Sequence, residues 1–140
     1  MKKDIYQAIY EYLKASTELK TIVGANIYPM FIPQYDKIPA VVYAPIQTSY
    51  DTALIADTGF ARTTVQFSCH ESTFGKVRKL SKVIKRLFQN YSGDMCGAEV
   101  QATFIKTDYI LSGGNVNRFD AETSTAVLEF DIFYSEQEDG

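Results

Sequence analysis

The stretch 60–91 constrains the fold most, because it reads as a strand that runs straight into a helix. Over 60–70, Ala61, Thr63, Val65, Phe67 and Cys69 alternate with Arg62, Thr64, Gln66 and Ser68. Successive side chains of a strand point to opposite faces, so this period predicts one dry face and one polar face. The period then changes. Phe74, Val77, Leu80, Ile84, Leu87, Phe88 and Tyr91 recur at steps of three and four, with Val83 beside them. That spacing predicts an amphipathic helix over 72–91, roughly 30 Å long at ~1.5 Å per residue. Ser72 or Thr73 can cap its first turn, because a hydroxyl accepts a bond from an orphan N–H. Ser92-Gly93 is placed to stop it, since Gly tolerates a left-handed backbone. Such a helix must lie back over the sheet to bury its stripe.

The remaining elements follow from the same two periods. Ile5, Ala8, Ile9, Tyr12 and Leu13 predict a helix over 4–15, with Tyr6 and Tyr10 on its flank. Ser16 or Thr17 caps a short helical turn over 18–22, closed by Gly24. Residues 27–28 form a short extended piece. Pro29, Pro33 and Pro39 make 29–39 a loop. The β-formers of 40–48 predict a strand, in which Pro45 argues for a sheet edge or a bulge. Residues 49–59 join it to 60–70, giving a long antiparallel hairpin over 43–66. Its tip holds apolar Tyr50, Leu54 and Ile55, more than a plain turn needs.

Residues 92–97 read as a loop, and 98–109 as a strand with Val100, Ala102 and Phe104 on one face. Gly113-Gly114-Asn115 belongs to a further loop. The last strand, 124–134, points Ala126, Leu128, Phe130, Ile132 and Tyr134 one way and Val127, Glu129, Asp131 and Phe133 the other. The tail over 135–140 is acidic and expected to be mobile. The order gives an α+β class: an antiparallel sheet of about four strands with a long hairpin, and two main helices packed on one face. With 140 residues and no repeat, low-complexity tract or linker, 1–140 is expected to be a single domain.

Chemistry is sparse. His70 is the only histidine. A general base needs a positioned partner and a structural zinc site about four ligands, and His70 with Cys69 and Cys96 has neither that number nor the paired spacing. A structural role at the strand end is therefore favoured. Cys69 reads as a small buried hydrophobe. Gly113-Gly114 is a turn and not a phosphate loop. Asp120 with Glu122, and Glu129 with Asp131, read as solvated or interface carboxylates before catalytic pairs. No catalytic, cofactor-binding or metal residue is assigned, and an enzyme is not expected. The start Met1-Lys2-Lys3 does not read as a signal peptide, so reduced thiols in a cytoplasm are expected. No apolar run approaches the ~20 residues of a membrane helix.

One charge pattern stands out. Lys76, Arg78, Lys79, Lys82, Lys85 and Arg86 fall in 72–91 without an acid, leaving 8 basic against 17 acidic residues elsewhere. A solvated helix face explains this as readily as an acidic neighbouring subunit or passing nucleic acid. Segregated charge of this kind suits head-to-tail contacts, where unlike patches meet. Ten tyrosines add amphipathic area of the sort enriched at interfaces.

Several stretches, in order, carry a resemblance. They are Thr21-Ile22-Val23-Gly24 with Asn26-Ile27-Tyr28-Pro29, then Ile38-Pro39-Ala40-Val41-Val42-Tyr43. The strand Ala61-Arg62-Thr63-Thr64-Val65-Gln66-Phe67-Ser68-Cys69 follows, with its basic helix. Phe119-Asp120-Ala121-Glu122-Thr123 and Leu128-Glu129-Phe130-Asp131-Ile132-Phe133-Tyr134 close the set. From about residue 4 to 134 the chain resembles the phage tail completion proteins, the small tail-to-head joining or tail-terminator group of siphophages and prophages. The resemblance implies a non-enzymatic virion assembly protein, made in the bacterial cytoplasm. It implies a ring, hexameric by preference, at the head-proximal end of the tail tube, which ends tail growth and joins tail to head. Implied partners are further copies, the tail-tube protein and a neck or connector protein, with DNA only in transit and no membrane.

The interface candidates are Tyr50, Leu54, Ile55, Phe60 and Arg62 around the hairpin, and Lys76, Lys79, Lys82 and Arg86 on the helix. A neck, head-closure or minor tail component is the neighbouring alternative. A small ligand-binding domain or enzyme using His70 is the reading from another class.

Overall fold

The alternation over the central strand is realised residue by residue. In a computed structural model that describes residues 4–30, 38–50, 60–112 and 124–135, Ala61, Thr63, Val65, Phe67 and Cys69 are buried. On the other face Arg62 is exposed and Gln66 and Ser68 are half-buried, but Thr64 is buried, its hydroxyl donating to Asp131. This strand, β3 (Phe60–Glu71), is followed by α3 (Phe74–Phe88). The helix is shorter than the 72–91 stripe predicts. Thr73 is its N-cap, its hydroxyl accepting from the Lys76 N–H at 3.2 Å. It ends at Phe88, and Asn90 takes the left-handed turn with φ 59°. Asn is one of the few residues that tolerate that geometry, so the stop precedes Gly93. Val77, Leu80, Val83, Ile84 and Phe88 are buried, whereas Phe74, in the first turn, is 54% exposed.

The other elements are α1 (Ile5–Ala15), α2 (Thr17–Val23), β1 (Ile27–Pro29), β2 (Ala40–Tyr50), β4 (Gly93–Met95), β5 (Ala98–Ser112) and β6 (Ser124–Ser135). Asp4 caps α1 and Ser16 caps α2, each with its side chain accepting backbone N–H groups. The sheet has six strands in the order β1-β2-β3-β6-β5-β4. Four antiparallel strands are therefore too few, and the sheet is mixed. The four long strands pair antiparallel, but β1 lies parallel to β2.

Two short strands account for the difference. The Asn26 carbonyl accepts from the Val41 N–H, and the Met30 N–H donates to the Tyr43 carbonyl, which brackets β1 against β2. Gly93–Met95 folds back on Ala98–Val100 through Cys96 and Gly97, both at positive φ. A two-residue turn of that hand matches strand twist. Pro45 meets both expectations. It sits at a bulge, since the register shifts between Pro45 and Gln47, and it lies beyond the part of β2 that β1 covers. A proline there interrupts no ladder bond.

The helices cover the face of Val65, Phe67 and Cys69. Phe67 stacks on Phe88 of α3 at 4.6 Å between ring centroids and meets Phe130 of β6 edge-on at 5.9 Å. Tyr12 of α1 packs on Phe88 at 5.2 Å and donates its hydroxyl to the Leu87 carbonyl at 2.6 Å. Tyr6 brings its hydroxyl within hydrogen-bond distance of both Thr48 and Thr63, so the buried Thr63 hydroxyl is satisfied under α1. On β6 all five inward residues, from Ala126 to Tyr134, are buried.

β5 corrects the expectation most. Bulges fall between Val100 and Ala102 and between Ile105 and Thr107. Each adds a residue to one strand only, so the strand's alternation slips by one. Val100 stays inside, but Phe104 turns to the outer face and Thr103 turns in. Thr103 accepts from the Tyr91 N–H at 2.7 Å and donates to the Phe88 carbonyl, tying the end of α3 to β5.

Candidate interaction surfaces

Among the described residues nothing assembles into a chemical site. No group of three or more His, Cys, Asp or Glu is arranged to hold a metal ion. Cys69 and His70 are neighbours in β3 and so point to opposite faces. Cys69 is wholly buried, and burial pushes its thiol pKa up, away from thiolate chemistry. His70 faces outward with Nδ1 3.2 Å from the Thr125 hydroxyl, and burial lowers its pKa. Burial, with Tyr91 and Cys96 nearby, pushes the Tyr12 phenol up to about 12. That fits a packing role whose hydroxyl stays a donor. No helix among the described residues is long and apolar enough to cross a membrane.

Two surfaces remain. The first is the outer ridge of α3. Its buried residues point at the sheet, so Lys79, Lys82 and Arg86, at steps of three and four, stand on the opposite side, with Lys76 and Arg78 flanking. All five are exposed. Two cations of the helix are neutralised within the molecule: Arg86 pairs with Glu18 of α2, and Lys85 lies 3.6 Å from Asp108 of β5. Lys76, Lys79 and Lys82 have no ion pair among the described residues. Arg78 lies over the exposed Phe74 ring at 5.8 Å.

The second surface is the sheet face turned away from the helices. Phe104, Tyr109 and Leu111 of β5 are 53%, 44% and 53% exposed and stand opposite Asp131, Val127 and Thr125 of β6. Residues directly opposite share a face, so these three line one side of β5, with Thr107, opposite Glu129, between Phe104 and Tyr109. Phe133 extends that side, meeting Phe104 edge-on at 5.9 Å, and Arg62 lies over the Phe133 ring at 6.0 Å. Glu129 and Asp131 are half-buried within the same face, and the Thr64 hydroxyl donates to Asp131 at 2.6 Å.

The nine interface candidates therefore do not make one patch. Lys76, Lys79, Lys82 and Arg86 share the α3 ridge, with Arg86 already paired. Arg62 belongs to the opposite side of the sheet. Tyr50 and Phe60 end the strands of the hairpin, Tyr50 paired with Ala61 and Phe60 with Ser135. Leu54 and Ile55 lie outside the described residues, as do Asp120, Glu122, Gly113-Gly114 and the tail over 136–140. The place of Phe104 on this face was not legible in the sequence, because the bulge that turns it outward carries no residue signature, and Leu111 lies beyond the strand read over 98–109. Gln101 and Lys106, at the two bulges, are ordinary strand-surface residues.

Comparison with known proteins agrees with the reading from the sequence. Residues 7–135 match the family described as Tail completion protein gp17. That span runs from the first turns of α1 to the last residue of β6. No match was found among curated proteins. Among solved structures, a chain from the virion of a native gene transfer agent (GTA) particle is similar, with a TM-score of 0.70 and 14% identity. The likeness covers 91% of this chain and 92% of that one, and at such identity it is a likeness of fold. The chain belongs to the gp17 family of phage tail completion proteins.

Proposed function

We propose that the protein is a non-enzymatic virion component that forms a ring at the head-proximal end of the tail tube, ends tube growth there and joins the tail to the head. The family match over 7–135 carries this reading. The segregated charge supports it, because unlike patches on one chain favour head-to-tail association that closes on itself. A ring of six is the favoured order. The partners are further copies, the tail-tube protein and the neck or connector protein, and DNA passes through the ring without being read. Assembly takes place in the bacterial host cytoplasm.

The test is reconstitution. Purified protein is added to growing tail tubes, and lengths are measured by negative-stain electron microscopy. We expect tubes capped at one end and stopped at a narrow length, against overlong tubes without the protein. Light scattering after size exclusion gives the ring order. A strict monomer that forms no ring with either tail-tube or neck protein, and leaves tube length unchanged, would overturn the reading.

A further inference from the structure

We propose that the α3 ridge of one copy docks on the outer face of β5 and β6 of the next, an inference that rests on the ring reading above. Both halves of this contact are on the chain, and they complement each other. The ridge offers Lys76, Lys79 and Lys82, exposed and unpaired with any acid among the described residues, and the exposed Phe74 ring in the first turn lies under Arg78. The outer face offers the half-buried carboxylates of Glu129 and Asp131 at alternate positions of β6, Asp131 also accepting from the Thr64 hydroxyl. Those carboxylates are bordered by Phe104, Tyr109 and Leu111 along one side of β5. These are three of the six large apolar side chains exposed among the described residues, and Phe74 is a fourth. An apolar centre with charges beside it is the composition of a recognition surface.

A second copy is the occupant because of where the two surfaces sit. Helix and carboxylates lie on opposite sides of one sheet, so a single molecule cannot bring them together. Joining them takes two molecules, through two different surfaces. Such a contact is heterologous and propagates head to tail, which is the geometry a closed ring requires. Charge sets the polarity: two ridges repel each other, and on the outer face Glu129 and Asp131 outnumber Arg62.

The experiment uses the full chain and charge reversal. One variant carries Lys79→Glu with Lys82→Glu, a second carries Glu129→Lys with Asp131→Lys, and a third carries Leu111→Asp. Circular dichroism and thermal melting establish that each is folded. Self-association is measured by sedimentation velocity at low and high NaCl, alone and in the presence of tail tubes. We expect wild-type association to weaken with salt, and each variant to lose at least about tenfold in apparent affinity. Mixing the two reversed variants should restore association, since each then meets its complement in the other. Rings that form unchanged in all three variants would overturn this contact and leave the ring reading standing. Weakening without rescue on mixing would overturn it too, as would a Lys79/Lys82 reversal that alters only retention on DNA. A wild-type chain that never associates, even on tail tubes, would remove the ring reading and this inference together.

Discussion

Phe67 shows how a single position joins the layers of this molecule. It lies at the centre of β3, is fully buried, and touches the rings of Phe88 from α3 and Phe130 from β6. Removing the ring leaves a cavity that three elements must share, so Phe67→Ala should cost about 3–5 kcal/mol. A domain of this kind has roughly 5–15 kcal/mol in total, so the variant should melt far earlier in calorimetry, if it folds at all. His70 makes a pH prediction. Burial holds its folded pKa below the usual value of about 6.5, so the folded chain keeps the ring neutral where the unfolded chain has begun to protonate it. The unfolded state then binds more protons, and stability falls as pH drops below about 6.5. Urea unfolding at a series of pH values should show this slope, and His70→Gln should flatten it. Equal slopes in the two proteins would remove the assignment.

The elements were legible in proportion to how regular they are. β3 and β6 keep an unbroken period of two, and α1 keeps its helical stripe, so their buried faces follow from spacing alone. Thr73 was one of two candidate caps, and its hydroxyl makes the capping bond. Thr73→Ala should therefore cost about 1 kcal/mol, and Thr73→Asp should preserve most of it, both read from denaturant midpoints. β1 was legible only as an extended piece over 27–28, without its pairing, and β4 was read as loop. At three residues each they have no period, and their pairing depends on Asn26 and on a Cys96-Gly97 turn. β5 failed for a different reason. Its bulges depend on pairing with β6, a non-local property, so its local alternation gave the wrong face for Phe104 and Thr103. The basic ridge was legible because charge needs no register, whereas the outward turn of Phe104 beside Asp131 was hidden by a bulge.

At the scale of the whole molecule, the features that hold the fold and those proposed to meet a partner occupy separate surfaces. The aromatic core lies between helices and sheet, while the α3 ridge and the outer face of β5 lie on its two outer sides. Phe104 tests that separation. It is 53% exposed and its ring meets Phe133 at the surface, so Phe104→Ser removes apolar surface of which the solitary chain leaves more than half in water. Stability of the single chain should change by about 1 kcal/mol or less, a melting shift of a few degrees at most. A face that serves only the fold would show no more than this. If the face is covered in the assembled tail, the same substitution should reduce incorporation into tails by at least about tenfold, measured by immunoblot of purified particles. Phe67→Ala should show the opposite order, losing soluble protein first and tail incorporation only as a consequence. A Phe104→Ser chain that folds normally and enters tails at the wild-type level would mean that the outer face of β5 stays open to solvent in the virion.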